Sequence, residues 1–280
     1  MPNNTGRKKS RNHTVRLVSM VLFFSLSLFS CADTATKSTT ETGAPASTSA
    51  TAGTKETTAQ NSETTTTSVS EPTQAVTTEK NENNLPVSDQ YFDDAVFIGN
   101  SIVDTFQMYS GLDNATFYAA TSLTVRSAYT KPAIKINGSK IPVMDAIKQH
   151  SFKKVYIMFG LNELGWPATD VFVEEYGKLI DDIKKAQPEA VIYVQSIMPV
   201  SAKKSQNDPY ENNKNILKFN QLIQNIAKDK QVFYLNIHDS MINSEGCLPE
   251  EASTDGVHFN KKYCLKWLDY LKSHTASANQ

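Results

Sequence analysis

The chain has 280 residues, of which 39% are apolar and 20% charged, and its formal net charge is −1. Residues 1–31 hold five basic side chains and no acidic ones, which leaves 23 basic against 29 acidic side chains on the remainder, a charge of −6. This mildly acidic body argues against nucleic-acid binding, which needs a basic patch or stripe. The longest apolar stretch, Leu17–Ser30, has 14 residues, fewer than the roughly 20 of a membrane-spanning helix.

The N-terminus has the layout of a secretory signal peptide over residues 1–30, with basic residues, an apolar stretch and a small residue before Cys31. The segment Leu28–Cys31 resembles the lipobox of bacterial lipoproteins. This resemblance implies cleavage before Cys31, a lipid on its sulfur, and an exported protein anchored to the outer face of the bacterial cell membrane. An ordinary signal peptide with an incidental cysteine is the alternative.

Residues 31–85 are expected to form a disordered tether that begins at the lipidated Cys31. Residues 32–85 contain seventeen threonines, and no aromatic residue occurs between Cys31 and Tyr91. Such a segment cannot bury enough apolar area to offset its loss of conformational entropy. A flexible coil of this length spans roughly 40 Å on average, which suits a folded head held off a membrane. A generic spacer with no required reach is the alternative.

Strand and helix patterns alternate through the folded part, which we place at residues 86–275. Short apolar runs predict strands at Ala95–Gly99, Thr116–Ala119, Lys154–Phe159, Val191–Ser196 and Val232–Asn236. Apolar residues at helical spacing predict helices at Val143–His150, Asp170–Ala186, Asn213–Lys228 and Lys261–Ser273. The Asn137-Gly138 pair predicts a small hairpin over Ile134–Ile141. The alternation predicts a single three-layer α/β domain with a flavodoxin-like, parallel central sheet of about five strands.

The ends of two strands are expected to form a crevice. Ligands in such sheets bind outside the carboxyl ends of the strands, where the strand order reverses, which in the flavodoxin-like order lies between the first and third strands. The residues after Gly99 and after Phe159 should therefore face each other. Ser101 follows the first strand at the expected start of a helix, where the helix dipole favours negative charge. Taken alone, the Gly-Asn-Ser segment is more typical of a helix N-cap, and the G-x-S-x-G elbow of the α/β-hydrolases is absent.

A nucleophilic serine needs a base, and the base needs a group that fixes its tautomer. Asp255 lies three residues before His258, so its carboxylate can reach one ring nitrogen while the other faces a serine. The alternative is a loop carboxylate beside an exposed histidine. His238, which precedes Asp239, is the fallback base, and Ser196 at the end of the fourth predicted strand is the second candidate nucleophile.

Three segments resemble, in order, the blocks of the SGNH (GDSL-type) hydrolase family, and the resemblance covers Asp94 to about Leu271. The segments are Phe97–Ser101, Gly160–Glu163 and Asp255–His258, which look like the family's Gly-Asp-Ser, Gly-x-Asn-Asp and Asp-x-x-His blocks. The resemblance implies that Ser101 is the nucleophile, His258 the base and Asp255 its orienting group. It also implies that the backbone N–H of Ser101 and the side chain of Asn162 belong to an oxyanion hole.

The chain departs from the family pattern at two positions. Asn100 stands where the family has Asp, and Ser122 stands where the second block has a Gly that supplies a further oxyanion N–H. The Ser122 donor is expected to survive only if serine tolerates the backbone conformation of that glycine.

Two residues of the loop after the third predicted strand are candidates for contact with substrate. Glu163 either binds substrate, holds the loop or is a solvated carboxylate, and Trp166 either stacks on a sugar or packs as core or lid. The Cys and His residues show no metal-ligand spacing, so neither a metal nor an organic cofactor is expected. Cys247 and Cys264 either form a disulfide, or Cys264 is a small buried residue of the last helix.

Together, the motifs and the resemblance lead us to expect a surface-anchored serine esterase that removes small acyl groups, above all acetyl, from cell-wall or extracellular polysaccharide. Its expected partners are an acetylated glycan and, through the lipid, the membrane. An acyltransferase or a lysophospholipase with the same triad is an open alternative. A degenerate, non-catalytic glycan-binding lipoprotein is the alternative of a different class, suggested by Asn100 and Ser122.

Overall fold

The structure, a computed structural model, describes residues 85–276. The predicted signal peptide, Cys31 and all of the predicted tether except Leu85 lie outside the described residues. In the described part of the chain, no helix combines the length and apolar character needed to span a bilayer.

Strands and helices alternate as the sequence predicts. In chain order the strands are β1 (Ala95–Gly99), β2 (Thr116–Ala119), β3 (Ile134–Ile136), β4 (Ser139–Ile141), β5 (Lys154–Met158), β6 (Val191–Gln195) and β7 (Phe233–Leu235). The helices are α1 (Ser101–Tyr109), α2 (Val143–Ala146), α3 (Thr169–Ala186), α4 (Ala202–Asn207), α5 (Asn213–Asp229), α6 (Ile237–Met241) and α7 (Lys261–Ser273). β3 and β4 pair as an antiparallel hairpin whose turn holds Asn137 and Gly138 at φ values of 49° and 84°.

A parallel sheet in the order β2-β1-β5-β6-β7 forms the centre of the fold. Every residue of β1 is buried, as expected when helices cover both faces of a parallel sheet. On these faces, α1 packs against α7, and α3 packs against α5. The predicted three-layer α/β fold is confirmed. The first and third parallel strands, β1 and β5, are neighbours, so their carboxyl ends meet at one edge.

An aromatic ladder crosses the sheet and fixes its register. Phe117, Phe97, Tyr156, Tyr193 and Phe233 lie opposite one another on successive strands, with ring centroids 5.1, 4.6, 4.6 and 5.5 Å apart. A slip of one residue would move the aromatic ring of the displaced strand to the opposite face of the sheet. The ladder therefore holds the ends of β1 and β5 level with each other.

Differences from the predicted elements are small and have local causes. Strands β5 and β6 each end one residue early, and the predicted helix 143–150 divides into α2 and a 3₁₀ turn at Ile147–Gln149. The short helices α4 and α6 were not predicted, because α4 has no buried face and α6 has only five residues. The α7 prediction is confirmed at both ends, and the Asn260 side chain caps its first turn.

The two cysteines within the described residues are free thiols, so the disulfide alternative is wrong. Cys264 is fully buried on the inner side of α7, and this burial raises the pKa of its thiol to about 12. It is a small core residue, as the second alternative predicted.

Candidate active site

The turn between β1 and α1 positions Ser101. Asn100, rather than Ser101, is the N-cap of α1, and its side-chain oxygen accepts a hydrogen bond from the backbone N–H of Ile102 at 3.0 Å. A Cβ atom on Gly99 would lie 2.6 Å from the Met158 carbonyl oxygen and 2.4 Å from the Val103 side chain, so glycine is needed for this close approach. Asn100 thus caps the helix as an aspartate would at the same position.

Ser101, His258 and Asp255 form one continuous chain of hydrogen bonds. The Ser101 Oγ lies 2.9 Å from His258 Nε2, and His258 Nδ1 lies 2.7 Å from Asp255 Oδ2. Ser101 begins a helix, whereas the other two residues lie in the loop before α7, 154 or more residues later. The fold therefore brings together the three residues that the sequence selects, in the order serine, imidazole, carboxylate.

The second oxygen of Asp255 holds its own loop. Asp255 Oδ1 accepts hydrogen bonds from the backbone N–H groups of Val257 and His258 at 2.9 and 2.8 Å, and from the Ser253 hydroxyl at 2.9 Å. Burial by itself raises the pKa of Asp255, but the hydrogen bonds from His258, Val257 and Ser253 outweigh it and hold the pKa well below its usual range. The carboxylate is therefore ionised at neutral pH, which favours the tautomer with the proton on His258 Nδ1.

The loop after β2 carries the backbone donor at Ser122. Ser122 has φ of 59°, the left-handed conformation that glycine adopts most easily, so serine does tolerate the geometry required there. Ser122 is exposed, and no described residue accepts a hydrogen bond from its backbone N–H. This N–H is available to an incoming group.

Asn162 lies on the loop after β5 and reaches across to the loop after β2. Its Nδ2 donates a hydrogen bond to the Leu123 carbonyl oxygen at 2.8 Å. Because an amide nitrogen carries two N–H groups, one donor remains after this bond has fixed the orientation of the side chain. Asn162 and Ser122, the two loop donors predicted for the oxyanion hole, therefore lie on loops that are joined directly.

Glu163 joins the same two loops a second time. Its side chain is fully buried, Oε1 accepts from the Val125 N–H at 2.8 Å, and Oε2 accepts from the Gly160 N–H at 2.9 Å. Burial raises the pKa of Glu163 from its ordinary 4.5 to about 7, although the hydrogen bonds from Val125 and Gly160 oppose this shift. The expectation that Glu163 binds substrate is corrected, because its side chain is fully buried, and for the same reason it is not a solvated carboxylate. Of the three alternatives, the structure supports the one in which Glu163 holds the loop.

Trp166 packs partly against the core at the end of the same loop. The Arg126 guanidinium lies 5.1 Å from the centre of its ring, and Arg126 also pairs with Glu175 at 3.0 Å. One face of Trp166 is thus covered by a cation. Contact between Trp166 and substrate stays a prediction.

The second serine is enclosed. Ser196 is fully buried, and its Oγ accepts a hydrogen bond from the backbone N–H of His238 at 2.9 Å, rather than meeting the imidazole ring. The His238 Nδ1 lies 2.9 Å from Asp239 Oδ1, but the His238 side chain is only 3% exposed. This second combination of Ser, His and Asp has neither the geometry nor the access of the first.

Two side chains beside the loop after β5 were not predicted from the sequence. Arg126 reaches Trp166, and Tyr210 packs against Gly165. Neither belongs to a recognisable motif, and Tyr210 follows Pro209 in a stretch whose pattern indicates only a turn. Their positions depend on contacts between segments that are about 40 residues apart, which no local pattern encodes.

Comparison with known proteins identifies the class. The model of the GDSL-like lipase/acylhydrolase family matches residues 97–262, more than half of the chain. The chain therefore belongs to this family, and the expectations of an SGNH-type hydrolase and of an enzyme are confirmed at that level. No curated protein matches the chain.

Two solved structures are similar in fold. A protein of Streptococcus pneumoniae named for platelet activating factor is 19% identical with a TM-score of 0.53, and the match covers 66% of this chain and 87% of that one. A Parabacteroides merdae protein described as a GDSL-like lipase is 10% identical with a TM-score of 0.51, and the match covers 64% and 94% of the two chains. At these identities the likeness concerns the fold alone.

Proposed function

We propose that the protein is a serine esterase, held on the outer surface of the bacterial cell membrane, that removes small acyl groups from polysaccharide. Ser101 attacks the ester carbonyl while His258 Nε2 takes its proton and Asp255 stabilises the imidazolium. The alcohol leaves with that proton, and water activated by His258 then hydrolyses the acyl-enzyme. The observation that carries the proposal is the hydrogen-bonded chain from Ser101 through His258 to Asp255, at 2.9 and 2.7 Å.

Three donors converge on the negative charge that develops on the carbonyl oxygen in this mechanism. They are the backbone N–H of Ser101 at the start of α1, the backbone N–H of Ser122 and the side-chain amide of Asn162. Both departures from the family pattern keep the required geometry, since Asn100 caps α1 and Ser122 adopts the left-handed conformation. These two residues therefore give no support to a degenerate, non-catalytic binding module.

A small acyl group is favoured by the space beside the site. A cavity of about 10 Å³ is lined by the residues just before Ser101, Asn162 and His258, namely Asn100, Leu161 and Val257, together with apolar side chains of neighbouring segments. Ser101, Asn162 and His258 themselves do not line this cavity, and its volume admits at most about one water molecule, so it offers no enclosed site for a fatty acyl chain. The side chain of His258 is 40% exposed, so water can reach it, as hydrolysis of the acyl-enzyme requires.

The assignment is tested with p-nitrophenyl esters of increasing acyl length. We expect hydrolysis of the acetyl ester to be fastest, with kcat/KM falling from acetyl to butyryl to longer chains. Preference for long acyl chains would contradict the small-acyl proposal and favour a lysophospholipase. Faster release of the alcohol when a sugar hydroxyl is added as acceptor, with an acylated sugar as product, would favour an acyltransferase.

Surface anchoring rests on the sequence before Leu85, where the lipobox-like segment ends at Cys31 and a threonine-rich stretch follows. This layout suits a catalytic head that reaches into a cell wall, and hence an acetylated glycan as substrate. The Cys31→Ser variant is expected to leave the membrane fraction or to stay unprocessed. A variant that fractionates and migrates like the wild type would contradict the lipid anchor.

A further inference from the structure

Tyr210 is an exposed aromatic residue that packs on the loop after β5. Its side chain is 58% exposed and lies in the connection between α4 and α5. A Cβ atom on Gly165 would lie 3.4 Å from the Tyr210 Cγ, so the ring rests directly against a residue without a side chain. The Cγ and Cδ1 side of the ring is thereby in contact with Gly165.

The backbone of Tyr210 is held in place by side chains on both sides. Its N–H donates to Asp208 Oδ1 at 2.9 Å, and its carbonyl oxygen accepts from Asn215 Nδ2 at 2.9 Å. Asp208 is itself paired with Lys204 at 2.8 Å, and hydrogen bonds from Lys204 and from the backbone of this loop lower the pKa of its carboxyl to about 2. An exposed ring on a fixed backbone loses little conformational freedom when it binds a ligand.

Two contacts place the segment that bears Tyr210 against the loops that carry Asn162 and His258. Gly165, against which it packs, follows Asn162 by three residues and lies directly after the 3₁₀ turn Leu161–Glu163 that carries Asn162. At the start of α4, the backbone N–H of Ser201 donates to the Gly256 carbonyl oxygen at 2.9 Å, inside the loop that carries His258. The segment that bears Tyr210 therefore runs from the loop of the base to the loop of the oxyanion donor.

We propose that Tyr210 is a sugar-stacking subsite for the glycan that carries the ester, an inference that rests on the proposed esterase function. The face of a pyranose presents C–H groups, which pack favourably on the electron-rich face of an aromatic ring. Charged residues flank Tyr210 in the same connection, since Asp208 and Glu211 each lie 2.8 Å from the Lys204 ammonium, and such groups suit sugar hydroxyls. A lipid tail would instead need a contiguous apolar surface.

Tyr210 suits this contact better than Trp166 does. The Arg126 guanidinium already covers one face of Trp166, and the indole packs partly against the core. Tyr210 is the more exposed ring and has no cation over it among the described residues. The subsite assignment therefore moves the expected sugar contact from Trp166 to Tyr210.

The test measures kcat/KM for an O-acetylated oligosaccharide relative to kcat/KM for p-nitrophenyl acetate, which carries no sugar. O-acetylated xylohexaose, cellohexaose and chitohexaose form the panel, and the one that the wild type cleaves best is used. Tyr210→Ala is expected to lower this ratio about 3- to 10-fold, chiefly through KM, because one stacking contact is lost. Tyr210→Phe keeps the ring and is expected to retain the ratio within about twofold.

The matched control is Tyr109→Ala, which removes a ring that is 43% exposed at the far end of α1, away from Ser101. This variant should keep the wild-type ratio, and thermal unfolding confirms that each variant is folded. An unchanged ratio in folded Tyr210→Ala would overturn the subsite. Cleavage of p-nitrophenyl acetate but of none of the three oligosaccharides would overturn it too, while leaving the esterase assignment intact.

Binding separates a failed subsite from a failed enzyme. Calorimetric titration of the same oligosaccharides into Ser101→Ala, with and without Tyr210→Ala, needs no turnover. Weaker binding in the double variant supports the subsite, and equal or undetectable binding in both overturns it. Absence of all hydrolysis by the wild type would contradict the proposed function, whichever result the titration gives.

Discussion

Residues 85–276 hold two sets of Ser, His and Asp in which the serine follows a strand of the central sheet, and the two sets differ in their contacts and in their exposure to solvent. In the first set, Ser101 Oγ meets the ring of His258, whose side chain is 40% exposed. In the second, Ser196 Oγ meets the backbone N–H of His238, and both residues are buried. The residue types are the same, so the types alone do not define a reactive site.

Chain separation and access account for the difference. Asp255 and His258 lie in a loop that carries the imidazole to a helix start 157 residues earlier in the chain. His238 and Asp239 lie in the first turn of α6, shortly after β7, and there the side chain of Ser196 accepts a hydrogen bond from a backbone N–H. The first set therefore has a proton pathway that faces solvent, whereas the second set stabilises the fold.

The largest expected effect separates the two serines directly. Ser101→Ala should lower kcat on p-nitrophenyl acetate by about 10⁴-fold or more, because the nucleophile is removed. Ser196→Ala, measured at a temperature where it is folded, should keep kcat within about threefold. It should instead lose about 1–3 kcal/mol of unfolding free energy, since the buried His238 N–H loses its acceptor. Full activity in Ser101→Ala, with loss in Ser196→Ala, would reverse the comparison.

Asn162, the proposed side-chain donor of the oxyanion hole, gives the next effect. Asn162→Ala should lower kcat about 10²- to 10³-fold with little change in KM, because the amide acts on charge that develops in the transition state. Steady-state kinetics on p-nitrophenyl acetate separates the two parameters. A change confined to KM would mean that Asn162 binds the ground state of the ester and is not an oxyanion donor.

Glu163 is expected to act through the loops it joins. In Glu163→Gln only one side-chain oxygen can accept a hydrogen bond, so the N–H of either Val125 or Gly160 faces an amide N–H. We expect the two loops to shift as a result and kcat to fall about 10- to 100-fold.

Glu163 should also make the stability of the protein depend on pH. The unfolded chain releases the Glu163 proton near pH 4.5, whereas the folded protein keeps it to about pH 7. The folded state therefore binds more protons in this window, and the free energy of unfolding falls as pH rises through it.

Denaturant unfolding at several pH values measures this contribution. Between about pH 4.5 and 7, the wild type should lose stability relative to Glu163→Gln, at up to 1.4 kcal/mol for each pKa unit of the shift. The control is Glu174→Gln, which removes an exposed carboxylate from α3 and should keep the wild-type slope. If the free energies of unfolding of the wild type and Glu163→Gln changed in parallel with pH, this would contradict a buried Glu163 carboxyl with a raised pKa.

The smallest effect concerns Asn100. Asn100→Asp keeps the cap on α1 and adds a negative charge beside the reacting pair, where a carboxylate about 6 Å from the imidazolium contributes about 1–3 kcal/mol. The cost of burying the new charge offsets part of this stabilisation of the imidazolium. We therefore expect kcat/KM to rise only several-fold. The acidic limb of the pH–rate profile should move to higher pH, because the new charge favours the protonated ring.

The same exchange at a distant cap is the control for Asn100. Asn212 caps α5 with its side chain, as Asn100 caps α1. Asn212→Asp should leave the pH–rate profile on p-nitrophenyl acetate unchanged. If both variants keep the wild-type profile, Asn100 serves the turn alone and its charge state has no bearing on the reaction.

The sequence predicts the strands and the long helices well, because each depends on local patterns. Apolar runs mark β1 and β5, and three short blocks contain Ser101, Asn162 and His258. Burial of Glu163 depends on Val125, 38 residues earlier, and a loop carboxylate carries no local sign of such a partner. The position of Tyr210 on Gly165 depends on contacts of the same kind, so it too required the structure.

Labelling with a fluorophosphonate, followed by mass spectrometry of the peptides, tests the central claim most directly. The reagent reacts with a serine only when a base and an oxyanion hole activate it. We predict one adduct, on the peptide that contains Ser101, and its loss in His258→Ala while the protein stays folded. An adduct on Ser196 or on another serine, or active protein that acquires none, would contradict the assignment of Ser101 as the nucleophile.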